Sequence, residues 1–419
     1  MRLTDVEAVL SDRLAAHVAQ PIAVAVSGGG DSLALLLAAH GWAQANGRNL
    51  LALTVDHGLQ AAGSDWTAMC AERAGRLGVR CERLAWEGPK PEHGLPAAAR
   101  QARHRLLAEA ARAAGARVIL LGHTADDVLE ARAMREAGGS TPEPREWSPS
   151  PVWPQGRGLF LLRPLLAQRR AMIRDWLAAR GETWIDDPAN ADLRFARPRA
   201  RRALAAGAAV PPAPAPTPDG LAELAQAVAM DAGGALGLPR EALRDASPET
   251  AQRLLAAACL CAAGTSRPPR ADRLGRLAAE AAGGRPFTAT LAGARIEGAA
   301  DMIRISREPG EAARGGLAPL ALAKDRPAVW DGRFELVARR DGLTVQALAG
   351  NAARLTPDQR RALARLLAAG RGALPWVTSE AGPVGCPALG EITGLTCRAL
   401  PLERLVAACG VVLREPAEG

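Results

Sequence analysis

A chain of 419 residues with 48% hydrophobic side chains is long enough for two or three domains with real cores. No uncharged apolar run of about 20 residues occurs, which excludes an ordinary membrane-spanning helix, and seven cysteines without a CxxC pair disfavour a disulfide scaffold or a four-cysteine zinc site. Net charge is +8, and all the basic residues but Lys90 and Lys324 are arginine, which suits a phosphate backbone or reflects an Ala/Arg/Gly/Pro-rich composition.

Residues 2–20 read as an amphipathic helix. Its acids Asp5 and Glu7 stand where a secretory leader would be basic and then apolar, so a cytoplasmic location is expected. Ile22–Val26 is a compact apolar run, followed by Ser27-Gly28-Gly29-Gly30-Asp31-Ser32 and then by Leu33–Leu37. This reads as strand, tight loop and helix. Glycines let the backbone turn sharply and a ligand approach, and the N-terminus of the following helix offers free N–H groups to phosphate. No Gly-Lys-Ser/Thr follows, so the common ATP loop is excluded, as is a dinucleotide fingerprint. The plain alternative is a turn between a core strand and a core helix.

A second buried-type strand, Asn49–Val55, ends in Asp56-His57-Gly58. In an open parallel sheet the polar strand ends line the ligand crevice, which places Asp56 and His57 beside a nucleotide. A helix is expected over 64–77 and a strand over 80–84. Next comes a helical stretch from Leu95, on which Arg100 and Arg103 share a face as an RNA contact or as solvated surface. Val118–Leu121 is a fourth strand, ending in Gly122-His123-Thr124-Ala125-Asp126-Asp127. All six histidines lie at or before His123, and two of them end strands beside acids, a placement suited to phosphate, metal or proton-transfer work. Alternating strands and helices imply a doubly wound α/β domain.

Residues 138–157 are too proline-rich for a helix and read as a substrate-facing loop or a plain connection. A helix over 169–181 follows. Between Arg194 and Arg202 lie five arginines around Phe195, the densest basic cluster in the chain and an RNA-contact signature that includes Arg194, Arg197 and Arg199. Residues 206–220 form an Ala/Pro linker. Beyond it the sequence predicts a mainly helical middle domain over 221–312, with a helix from Ser247 to about Ala263 and another over 270–282. Short strands follow at 287–291, 294–297 and 302–306, and a small mixed α/β C-terminal domain over 325–419.

Several stretches together resemble one family, the bacterial tRNA(Ile)-lysidine synthetases of the PP-loop ATP pyrophosphatase superfamily. They are Ser27–Ser32, Val55–Leu59, Ala97–Arg103, Gly122–Asp127, Leu162–Leu166 and Asp187–Asn190 with Arg194–Arg197, and they span roughly residues 20–200. The first loop alone is shared with GMP, asparagine and NAD synthetases; the later stretches are the more specific. Departures occur at Val128, Leu129, Glu130 and Ala131, where many relatives carry Gln-Ala-Glu-Thr, and at Pro198, where an Asn is common.

The resemblance implies a PP-loop domain over 1–205 that uses ATP and Mg²⁺ to adenylate O2 of the wobble cytidine in a CAU-anticodon isoleucine tRNA, after which L-lysine displaces AMP. It implies that Ser27, Gly28, Gly29, Gly30, Asp31 and Ser32 hold the pyrophosphate beside Asp56 and His57, that Asp31 binds Mg²⁺, and that His123, Asp126 and Asp127 hold or deprotonate the lysine amine. C-terminal regions would read the tRNA. No membrane partner is expected, and the oligomeric state is left open, a homodimer included. Two rivals remain: a PP-loop tRNA 2-thiolation enzyme, and a non-catalytic tRNA-binding protein on the same scaffold.

Overall fold

The computed structural model describes residues 1–139, 142–187, 192–208, 220–310 and 316–417. The chain divides into two compact units, Met1–Ala215 with Val412–Gly419, and Pro216–Val411. Most of the expected linker, residues 209–219, lies outside the described residues, as do Pro188, Ala189 and Asn190. The last segment, read from sequence as part of the C-terminal domain, belongs instead to the first unit. Its Glu415 carboxylate is buried against Arg48 at 2.8 Å, a partner 367 positions away.

The first unit runs α1 (Leu3–Arg13), β1 (Ile22–Ala25), α2 (Gly30–Ala45), β2 (Leu50–Asp56), α3 (Gly63–Arg76), β3 (Arg80–Ala85), α4 (Leu95–Ala113) and β4 (Val118–Leu120). It continues with α5 (Ala125–Glu136), β5 (Trp147–Pro149), β6 (Phe160–Leu162), α6 (Arg170–Ala178) and α7 (Ala196–Ala205). The sheet order is β3-β2-β1-β4-β6-β5, parallel except for β5. Successive side chains on a strand face opposite sides of the sheet, and two cores result. Ile22, Val24, Ala52, Val118, Leu120 and Leu162 pack with α1, α2 and α6. Ala23, Leu51, Leu53, Ile119 and Leu161 pack with Leu107, Ala108 and Ala111 of α4. Both faces are covered, which is why the strands read as unbroken apolar runs.

Strand order reverses at β1. The chain moves from β1 to β2 on one side and returns to β4 on the other, so the crevice outside the carboxyl ends of β1 and β4 is the switch point where such sheets bind ligands. One strand was hidden in the proline-rich stretch. β5 pairs antiparallel with β6, and its Pro149, which lacks an N–H, is tolerated at the sheet edge. Trp147 stacks on Phe160 with ring centroids 4.9 Å apart. The basic cluster after Phe195 forms α7, a helix the sequence reading left unassigned.

The second unit carries α8 (Leu221–Gln226), β7 (Ala229–Met230), β8 (Leu236–Pro239), α9 (Arg240–Asp245), α10 (Pro248–Ala263) and α11 (Ala271–Ala282). Then come β9 (Phe287–Leu291), β10 (Ala294–Gly298) and β11 (Met302–Arg307), completing an antiparallel sheet in the order β7-β8-β11-β10-β9. Helices outweigh strands here, yet the sheet supplies Leu238, Ile296, Ile303 and Ile305 to the core under α10. Two small antiparallel sheets and further helices follow, around Trp330, Phe334 and Trp376. No helix among the described residues is long and apolar enough to cross a membrane.

Helix α10 begins as its sequence predicts. Ser247 Oγ accepts from Thr250 N at 3.1 Å, and Pro248 takes the first position, where no N–H is needed. Replacing Ser247 by alanine is expected to cost about 1 kcal/mol, read as a lower urea midpoint with an unchanged slope.

Candidate active site

The loop between β1 and α2 forms one wall of the switch-point cleft. Gly28 sits at φ +84°, and a Cβ there would lie 2.5 Å from Ile185 Cδ1, so both conformation and space demand glycine. The Gly28 carbonyl accepts from Ile185 N at 3.0 Å. Ser32 closes the loop: its hydroxyl accepts from Ser27 N (3.1 Å), lies 3.2 Å from Ser27 Oγ and donates to Gly29 O (2.9 Å). No side chain caps Gly29, the residue before α2, so the helix presents its N-terminal amides and the positive end of its dipole to the cleft. Across the switch point the β4 end approaches closely. A Cβ on Gly122 would stand 3.1 Å from the Asp31 carbonyl.

Arg170, the first residue of α6, lines this cleft and joins three carboxylates, of which Asp31 and Asp127 line it too. Its Nε donates to Asp31 Oδ2 at 3.0 Å, its Nη1 to Glu130 Oε1 at 3.0 Å, and its Nη2 lies 3.3 Å from Asp127 Oδ2. Burial opposes its charge, but Asp127, Asp31 and Glu130 together hold its proton more tightly than in water. Asp127 is fixed further. Its Oδ2 accepts from Thr124 N and Thr124 Oγ1, each at 2.9 Å, the reciprocal cap that starts α5. From α7, Arg201 Nε donates to Glu130 Oε1 at 2.7 Å, and Arg197 stands 3.6–3.7 Å from Glu130 and Asp127. Glu130 Oε2 is buried without a hydrogen bond. Burial raises the Asp31 carboxyl against the pull of Arg170, and Asp127 adds to the rise.

The histidines are held neutral. Arg163 Nε donates to His123 Nδ1 at 3.1 Å, and since arginine only donates, the His123 proton sits on Nε2. Burial, then Arg163, Arg103, Arg100 and Arg197, pushes its pKa well below the ordinary value. His123, expected to hold or deprotonate an amine, thus has its Nδ1 already occupied by Arg163 and only its Nε2–H left to donate. Buried His104, on the same wall, is pushed down to about 2 by burial and the same arginines, and its Nε2 has no partner. His57 is likewise lowered, by burial and then by Arg103.

Asp126 also departs from expectation, because it is not among the residues lining the cleft. It accepts from Arg169 Nη2 (2.8 Å) and from Arg170 N (2.7 Å), capping the start of α6. Burial pulls its pKa up, but these bonds and the two guanidiniums win and lower it. Asp126 therefore holds the backbone at the start of α6, outside the cleft lining.

The cleft of about 290 Å³ adjoins a second of about 410 Å³. Ser27, Gly29, His57, Arg103 and Ile185 line both. The second is walled by Val55, Asp56, Leu59, Trp66 and Asp187, and Asp56 Oδ1 accepts from Gly58 N at 2.8 Å. Arg103 faces the clefts, so it is no part of an outer stripe; burial and then Arg100 and Arg197 lower it to about 10. Of the α7 cluster, Arg197 and Arg201 line the cleft, whereas Arg194 is exposed and paired with Asp192 at 2.7 Å. Arg199 donates to the carbonyls of Leu193 and Arg194. Glu130, Arg163, Arg170 and Arg201 were not expected as site residues, although Glu130 stood out as a departure from the family pattern, Arg163 lies in the Leu162–Leu166 stretch and Arg201 in the basic cluster. Only the helical spacing of Asp127 and Glu130, three apart, hinted at a shared face.

A family model described as a PP-loop domain matches residues 3–207. A tRNA(Ile)-lysidine synthase of Caulobacter vibrioides is 52% identical over 384 residues, covering 91% of this chain and 90% of its own. The chain belongs to the tRNA(Ile)-lysidine synthases. Another member, from Hyphomonas neptunium, is 38% identical over 74% of this chain and 87% of its own. Among solved structures, the U34-tRNA thiolase NcsA from Methanococcus maripaludis aligns with 48% of this chain and 71% of its own, at 15% identity and a TM-score of 0.40. The lysidine-synthase family thus accounts for the PP-loop fold of the first unit and for an ATP-dependent enzyme built upon it.

Two outcomes follow from this geometry. Arg170→Met would leave three carboxylates facing one another and should cost about 3–5 kcal/mol of stability, visible in chemical denaturation. His104 binds a proton when unfolded, below its ordinary pKa of 6.5, but not when folded. The unfolded state then holds more protons, so stability falls as pH drops below about 6.5, by up to roughly 1.4 kcal/mol per pH unit. His104→Leu should flatten that slope between pH 6.5 and 5, as measured by urea midpoints.

Proposed function

We propose that the chain ligates L-lysine to C2 of the wobble cytidine of a CAU-anticodon tRNA(Ile), through an adenylated tRNA, with release of pyrophosphate and AMP. One observation carries this reading: the glycine loop, the arginine-bound carboxylates and neutral His123 meet at the switch point of a PP-loop sheet. Amides from Ser27 to Ser32 hold the phosphates at the start of α2, and Arg103 adds a guanidinium within reach of both clefts. The larger cleft, with apolar Val55, Leu59 and Trp66 and polar Asp56 and His57, suits the adenosine.

Asp31 and Asp127 offer hard oxygen donors on one wall, which fits Mg²⁺, an ion held by one or two carboxylates together with substrate phosphates. When bound it would neutralise phosphate oxygens. His123 Nε2–H donates to a substrate oxygen. Exposed Arg194 and Phe195, with Arg199 and Arg100, supply the first tRNA contacts, and the second unit extends them.

The thiolation reading needs accessible, acidic thiols. Burial raises Cys70, and it raises Cys81 to about 11, the opposite of what sulfur relay requires. Incubating isoleucine tRNA with protein, ATP, Mg²⁺ and lysine should yield lysidine in the nucleoside mass spectrum; unmodified or thiolated cytidine would overturn the proposal. Asp31→Asn should abolish tRNA-dependent ATP–pyrophosphate exchange and leave tRNA binding within about twofold, since only the phosphate-side carboxylate is lost. A wild-type exchange rate would remove Asp31 from the chemistry.

A further inference from the structure

His123 is held in the cleft through a chain of contacts that ends at Glu415, near the other end of the sequence. Arg163, which donates to His123 Nδ1, is itself held by the strand β5 and the residues before it. Its N–H donates to Glu146 O (2.8 Å), and its Nη1 donates to Arg145 O (2.6 Å) and Ser148 Oγ (3.1 Å). A three-residue edge strand has little to fix it by itself. The segment after Val411 supplies the rest. Trp147 Nε1 donates to Val412 O at 2.7 Å, and Arg13 bridges Glu146 Oε1 (2.9 Å) and Leu413 O (3.0 Å).

Glu415 anchors that segment. Its two carboxylate oxygens accept from Arg48 at 2.8 and 2.9 Å, Oε2 also accepts from Ala15 N (2.9 Å), and its own N–H donates to Arg13 O (2.8 Å). The Arg48 and Glu415 side chains are 0% and 3% exposed. A bidentate pair so buried, between residues with no local reason to meet, belongs to the fold of the first unit and is not a loose end draped on it.

We propose that Val412–Glu415 is a positioning element of the active cleft: it pins β5, β5 pins Arg163, and Arg163 sets the orientation of His123. Residues 1–205 accordingly do not complete the site without it. The proposal rests on the adenylation reading only for its kinetic arm.

The test uses full-length protein carrying Trp147→Phe, which keeps the ring on Phe160 but deletes the N–H, and separately Glu415→Gln. Arg414→Ala is the control, since Arg414 makes only an exposed pair with Asp12. Imidazole ¹⁵N spectra of the unaltered chain should show His123 as the Nε2–H tautomer. In Trp147→Phe and Glu415→Gln that signal should become a mixture of tautomers, and kcat for tRNA adenylation should fall about 10- to 100-fold with folding retained. Arg414→Ala should change neither. Should Glu415→Gln fail to fold, the milder Trp147→Phe decides. Folded Trp147→Phe with an unaltered His123 tautomer signal would overturn the proposal. If the unaltered chain does not adenylate tRNA, the functional reading fails, and the tautomer spectra still decide this one.

Discussion

Three carboxylates gathered around one guanidinium would repel one another by several kcal/mol at the dielectric of a half-buried site. Arg170 removes that repulsion by bonding Asp31 and Glu130 and by standing beside Asp127. Everything around it serves to deliver those four side chains to one place. Asp31 opens α2, Asp127 and Glu130 lie one turn apart on α5, and Arg170 opens α6 with its own N–H tied to Asp126. With Arg197 and Arg201 added from α7, carboxylates and guanidiniums balance. Arg103, which lines both clefts with Ser27 and Gly29, then adds positive charge beside the glycine loop. A surplus of that sign is what a polyphosphate meets most favourably.

The same arginines decide what the histidines do. A ring of cations in a desolvated wall makes a protonated imidazole costly, so His57, His104 and His123 remain neutral. Chemistry in this cleft must therefore treat them as neutral hydrogen-bonding groups, with the His123 tautomer set by Arg163.

Long-range pairing matters as much as local order. The sheet places its switch point between β1 and β4, but the β6 side of the crevice depends on an edge strand only three residues long. Buried Arg48 and Glu415 recruit a distant segment to that edge. A charge pair removed from water contributes little net stability, yet its wrong partners are heavily penalised, so it specifies which segment docks there.

Much was legible in the sequence by itself. Strands β1, β2 and β4 announced themselves as short apolar runs, the glycine loop as a tight turn into a helix, and Ser247-Pro248 as a helix start, because each depends on local sterics and periodicity. What those signals do not carry is direction in space. Arg197 and Arg194 look alike in a basic run, but one faces the cleft and the other solvent. Asp126 and Asp127 are neighbours, and only Asp127 lines the crevice, since successive helical residues point about 100° apart. The hub Arg170 sat unnoticed in an ordinary helix, and β5 was masked by its prolines. The docking of Glu415 on Arg48 has no local signature whatever. Those features arise where separate elements meet, and only tertiary packing decides which charges are brought out of water together.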